Sequence, residues 1–82
     1  MVKAVVLVKS PKKFIAARLK QVNLVNESFP VSGQFDAVAV IQVERLVQIK
    51  DVTTQIQKID GVERTETMVE VCLLYTSDAA DE

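Results

Sequence analysis

The chain has 82 residues, 49% of them apolar, and ten basic against eleven acidic side chains, for a net charge of −1. That length holds one domain with a small core, which buries only about 60% of its unfolded surface and needs a supplement. A single cysteine excludes an internal disulfide, the lack of histidine leaves no familiar zinc set, and near-neutral charge gives no electrostatic reason for a nucleic-acid or anionic-membrane partner; association remains.

No apolar run approaches the ~20 residues that span a bilayer, and the start lacks the cleavage site of a signal peptide. The expectation is a soluble cytoplasmic protein. The end, residues 72–82, resembles translated sequencing-adapter read-through and is set aside as an artefactual tail; the other reading is a natural acidic extension. Without its three acids (Asp78, Asp81, Glu82), residues 1–71 carry ten bases and eight acids, a net of +2. Cys72 then says nothing about redox compartment.

Ala4-Val5-Val6-Leu7-Val8 is apolar without alternation, the pattern of a strand buried on both faces. Ser10-Pro11 follows as N-cap and first helical residue, and Phe14, Ile15, Leu19 and Val22 then fall on one helical face. Lys12 and Lys13 in the first turn suggest either an anion site or, preferably, a solvated face. Residues 24–32 predict a weaker strand with Val25, Phe29 and Val31 on one side and Asn26, Ser28 and Pro30 on the other. Pro30 cannot donate to a ladder, which assigns this strand to an edge.

Gly33-Gln34-Phe35-Asp36 is a tight turn. It opens onto Ala37-Val38-Ala39-Val40-Ile41-Gln42-Val43, in which Gln42 is the one polar member. Glu44 and Arg45 open a second helix, with Leu46, Ile49, Val52, Ile56 and Ile59 on one face and Gly61 just past it as a left-handed C-cap. The last strand begins at Val62. Thr65, Thr67, Val69 and Val71 share one face of it; Arg64, Glu66, Met68 and Glu70 share the other, polar enough for an edge.

This order is the βαββαβ of the ferredoxin-like α+β fold. Right-handed crossovers put both helices on one face of a four-stranded antiparallel sheet, with the first and third strands central. Those two strands are apolar on their other face as well. A patch of that kind marks an interaction surface, so a homodimer packed sheet against sheet is expected, of the dimeric α/β-barrel type.

The strand pattern, the Gly33-Gln34-Phe35-Asp36 turn and the segment Ile59-Asp60-Gly61-Val62-Glu63-Arg64-Thr65-Glu66-Thr67 resemble the effector-binding domain of leucine-responsive/AsnC-type (Lrp/AsnC) transcription regulators, the domain tied to regulation of amino-acid metabolism. The likeness covers residues 1–71. It implies a ligand-binding and oligomerisation domain, a dimer or a ring of dimers, with amino acids held between subunits; the residues themselves give no warrant for a metal or a cofactor. Because Met1 starts directly on the first strand, the chain looks like the stand-alone form. The resemblance then implies no DNA contact of its own, and reaches transcription through a full-length regulator.

An amino acid needs an anion for its ammonium and donors for its carboxylate. Asp36 suits the first, and backbone N–H groups around Gly33, which lacks a Cβ, suit the second. Thr65 and Thr67 can donate or accept, and Phe35 can wall the pocket. By resemblance, the turn of one subunit and the last strand of another frame it. The bland readings are a plain turn for Gly33 and Asp36, ordinary strand formers for Thr65 and Thr67, a packing role for Phe35, and a solvated pair for Arg64 and Glu66.

Two other classes compete. A small dimeric α/β-barrel enzyme would need a nucleophile–base pair or metal cluster that the sequence lacks, and an RNA-recognition domain would need aromatics where the central strands carry valine and alanine. A purely structural oligomerisation module stays open.

Overall fold

A computed structural model describes residues 2–70. Val71 and the tail 72–82, including Cys72, lie outside the described residues. The elements follow in the expected order: β1 (Val2–Lys9), α1 (Ala16–Lys20), β2 (Val25–Pro30), β3 (Ala37–Val43), α2 (Leu46–Gln57) and β4 (Arg64–Val69). The sheet order is β2-β3-β1-β4, and every neighbouring pair is antiparallel. The sheet is open, not closed into a barrel. The two strands apolar on both parities are the central ones, and the Pro30-bearing and polar strands are the edges.

Register divides the sheet cleanly. Val6 sits between Ala39 and Thr67, and Val8 between Ala37 and Thr65. These residues, with Ala4 and Ile41, look toward the helices. Leu19 of α1 and Ile49, Val52 and Ile56 of α2 close over them. The opposite side carries Val5 and Leu7 of β1, Val38 and Val40 of β3, Phe29 of β2 and Met68 of β4, and no element among the described residues covers it.

The start of α1 departs from the expectation. The helix begins at Ala16, not at Pro11. Ser10 is 3% exposed, and its hydroxyl donates to the carbonyl of Lys13 at 2.7 Å instead of accepting from a first-turn N–H. Its backbone N–H donates to Asp36 Oδ2 at 2.8 Å. The cap hydroxyl is thus spent on a carbonyl, and the residue is held by a carboxylate 26 residues away. With the helical phase delayed, Phe14 is 79% exposed, while Ile15 and Leu19 are buried as expected.

β2 departs as well. Its register against β3 shifts between Val25 and Glu27, a bulge, and a bulge reverses the parity of everything beyond it. Ser28 therefore faces the helices, where its hydroxyl donates to the Ala16 carbonyl at 2.6 Å. Phe29 turns to the open face opposite Val38 and stays 40% exposed.

α2 is stopped at its front by Gln48, whose Oε1 accepts the backbone N–H groups of Glu44 and Arg45 at 3.0 and 2.9 Å. Leu46, expected on the buried stripe, is 62% exposed; the stripe begins one turn later, at Ile49. The helix ends at Gln57, and Gly61 belongs to a separate turn in which Val62 N–H donates to the Ile59 carbonyl at 3.1 Å. The φ of +102° at Gly61 is that of the third residue of a type II turn. A Cβ there would lie 3.0 Å from Lys13 Cβ. Gly61→Ala is expected to destabilise the chain by about 1–2 kcal/mol through this strain and crowding, measured as a lower urea midpoint at unchanged slope.

Beside that turn, Lys13 and Asp60 form an ion pair. The hydrogen bond and charge of Lys13, with a smaller contribution from Arg18, hold the Asp60 carboxyl below its ordinary 3.8. Its contribution is present above the ordinary carboxylate range and fades as pH falls through the lowered value. The pair is exposed, so the contribution is small.

Candidate functional site

The segment Val31–Asp36 connects β2 to β3 at the end of the sheet where β1 finishes and β4 begins. Three hydrogen bonds shape it. Val31 N–H donates to the Asp36 carbonyl at 3.0 Å, Asp36 N–H to the Val8 carbonyl at 2.9 Å, and Ser10 N–H to Asp36 Oδ2 at 2.8 Å. Asp36 is thus the knot that ties this loop to the end of β1 and to the loop before α1. Gly33 has φ +124°, which an L side chain rarely adopts, and nothing lies within 4 Å of where its Cβ would be. Its backbone faces open space.

Phe35 and Asp36 go to different places. Asp36 lines a cleft of ≈ 320 Å³ shared with Ser10, Lys13, Phe14 and Val31. The Phe35 ring instead meets Arg64 of β4, whose Cζ sits 5.2 Å from the ring centroid. Arg64 is the register partner of Lys9, and the Lys9 ammonium donates to the Gln34 carbonyl at 3.2 Å. Two cations from adjacent strands therefore hold the turn, one through a ring and one through a carbonyl.

Thr65 and Thr67 lie on the helix side of β4, opposite Val8 and Val6. Thr65 Oγ1 accepts from Gln57 Nε2 of α2 at 3.0 Å, and Thr67 is exposed. Within one chain, then, the expected site residues form two groups. Gly33, Phe35 and Asp36 share the loop; Thr65 and Thr67 share the helix side of the last strand, while the side of that strand in contact with Phe35 presents Arg64.

Sequence reasoning missed Arg64 as a member of this site, having paired it with Glu66 as a solvated couple. The available signal was its place at the first position of a strand antiparallel to β1, whose end abuts the aromatic turn. Ser10 was missed for a different reason, because a Ser-Pro pair is a strong local helix signal.

A second depression, ≈ 300 Å³, lies on the open face among Lys3, Val5, Val40, Met68 and Glu70. No group of three or more His, Cys, Asp or Glu among the described residues is placed to hold a metal ion. No helix among them is long and apolar enough to cross a membrane.

Comparison with known proteins places this geometry in context. The family described as the Lrp/AsnC ligand binding domain matches residues 3–72. Among solved structures, the protein TTHA0845 of Thermus thermophilus is 30% identical, with a TM-score of 0.81 over 88% of this chain and 95% of that one. The hypothetical protein PHS023 of Pyrococcus horikoshii is 22% identical, with a TM-score of 0.76 over 88% and 92%. The feast or famine regulatory protein of M. tuberculosis, solved in complex with L-methionine, is 22% identical, with a TM-score of 0.73; the match covers 92% of this chain and 53% of that one. At 22% identity the likeness is one of fold. The search of curated proteins found no match.

Proposed function

The chain belongs to the Lrp/AsnC ligand binding domain family, and from that premise we propose that it is a small-molecule effector module whose ligand is an amino acid held between two copies. This family is a regulatory domain rather than an enzyme family, and the role proposed is sensing, without catalysis. The observation that carries the reading is the division of the site. The turn group (Gly33, Phe35, Asp36) lies in the loop before β3 and the strand group (Thr65, Thr67) on the helix side of β4, with β1 between the two strands, which supports a pocket that takes one group from each of two subunits.

The ligand class follows from chemistry. Asp36 supplies an anion with one oxygen engaged by Ser10 and the other available to an ammonium. The open backbone at Gly33 and the hydroxyls of Thr65 and Thr67 supply neutral donors. The L-methionine complex of the M. tuberculosis regulator supports an amino acid as the first candidate.

The uncovered face of Val5, Leu7, Val38, Val40, Phe29 and Met68 supports a homodimer through the open sheet, with rings of dimers as the higher assembly. A cytoplasmic location, the absence of direct nucleic-acid contact by this domain, and action on transcription through a full-length Lrp/AsnC-type regulator complete the proposal. A purely structural oligomerisation module is the competing reading.

Thermal unfolding of the full chain against the twenty standard amino acids separates the two. A ligand that binds only the folded assembly raises its midpoint, by roughly 2.7 kcal/mol of stability at a concentration of a hundred times Kd. A shift with a few amino acids is expected. No shift with any of them, from a protein that is folded and dimeric, leaves the structural module.

A further inference from the structure

Phe14 is the most exposed large apolar side chain among the described residues, at 79%, and the site proposed above does not use it. Exposure of one apolar side chain is ordinary in itself. Here the backbone that carries it is held on both sides. Ser10 gives its N–H to Asp36 and its hydroxyl to the Lys13 carbonyl. Lys13 is paired with Asp60, and its Cβ lies 3.0 Å from where a Cβ on Gly61 would be. Ile15, on the other side, is buried. The ring stands in water because the residues around it are fixed elsewhere.

It stands beside an anion. Phe14 and Asp36 line the same cleft of ≈ 320 Å³, a volume at the small end of the range for ligand pockets, about 300–1,000 Å³. The cleft has two kinds of wall. Asp36 has one oxygen engaged by Ser10 and the other available to an ammonium. Phe14, Pro30 and Val31 add apolar surface, and none of the three is buried. Lys13 lines the cleft too, but its charge is met by Asp60.

We propose that the side chain of the amino-acid ligand lies in this cleft against Phe14, and that Phe14 makes the module selective for apolar side chains. This rests on the amino-acid reading above and adds a substrate class to it. An ammonium on Asp36 brings the ligand's α-carbon to the cleft, and the substituent of that carbon that gains from apolar walls is the side chain. Asp36 serves every amino acid alike; Phe14 tells them apart.

The test is calorimetry of the full chain with glycine, alanine, norvaline, methionine and glutamate, on the parent, Phe14→Ala and Phe14→Leu. Sedimentation follows assembly, and the ligand-free thermal midpoints show that each variant is folded, as an exposed position leads one to expect. In the parent, affinity should rise about two- to fourfold with each added methylene. In Phe14→Ala that rise should flatten, with methionine bound roughly 5–20-fold more weakly and glycine changed by less than about twofold, and Phe14→Leu should fall between. Glutamate, close to methionine in length, should bind the parent more weakly than methionine. The Phe14 ring resonances should move with methionine and not with glycine.

Methionine affinity unchanged in Phe14→Ala, or lost there in the same proportion as glycine affinity, overturns the assignment and leaves the amino-acid reading standing. Glutamate bound more tightly than methionine, with the preference lost in Lys12→Met, also overturns it and gives the cleft to acidic side chains, since Lys12 is part of its lining. Loss of assembly in Phe14→Ala overturns it as well, and makes the ring a contact between copies. If no amino acid binds the parent, both readings fall together.

Discussion

Val40→Lys is expected to fold, and to stay monomeric at concentrations where the parent chain is a dimer. Val40 lies mid-strand on β3, on the face away from the helices, opposite Val5 of β1 and Glu27 of β2. In a monomer a lysine there reaches water and has an acidic cross-strand neighbour, so the cost to folding stays within the ~1 kcal/mol range of strand propensity. In a sheet-to-sheet dimer the same ammonium is buried against Val5, Leu7 and Val38. A two-fold interface receives the substitution twice, and each unpaired buried ion costs several kcal/mol. Weakening by about a thousandfold or more follows. Sedimentation gives the association state, and the thermal midpoint gives a second view, because a dimer's midpoint rises with protein concentration and a monomer's does not. An unchanged dimer in Val40→Lys would place the interface elsewhere, and a monomeric parent would remove it.

The same open face explains why so much of the architecture could be read from sequence. A strand covered on one side alternates; β1 and β3 do not, and that identified them as the central pair and pointed to a second covering layer. Readings failed where a distant group competed with a local one. Ser10-Pro11 carries a complete helix-start signal, but the Ser10 hydroxyl donates to the Lys13 carbonyl while its N–H is held by the distant Asp36 carboxylate, and α1 begins at Ala16. The side chains of β2 were assigned by counting in twos from Val25. The bulge after it breaks the count, sending Ser28 inward and Phe29 outward, and no residue type near Asn26 announces a bulge.

Alternation along β4 correctly put Thr65 with Thr67 and Arg64 with Glu66. It could not show that a loop from the other side of β1 would bring Phe35 under Arg64, since that contact depends on how the sheet end is closed. The faces of β1, β3 and β4 follow from local alternation and were legible; partners across the sheet end are a tertiary property and were not.

Asp36 has two roles that one substitution cannot separate and a pair of substitutions can. Its carboxylate accepts from the N–H of Ser10, a residue 3% exposed. Asp36→Ala leaves that buried N–H without an acceptor, which costs about 1–3 kcal/mol, or a midpoint lower by roughly 4–24 °C for a domain of this size. Loss of ligand response in that variant would follow from a disturbed loop as readily as from a lost contact. Asp36→Asn keeps a carbonyl oxygen for Ser10 and exchanges only a charge-assisted bond for a neutral one, at a cost of about 1 kcal/mol. It has no negative charge to offer an ammonium. If the ammonium of the ligand meets Asp36, the midpoints of the ligand-free proteins should fall in the order parent, Asp36→Asn, Asp36→Ala, while the ligand-dependent rise should be strong in the parent and nearly absent in both variants. A rise kept at full size by Asp36→Asn would confine Asp36 to holding Ser10 in place, and the positive end of the ligand would then have to be met from the other subunit.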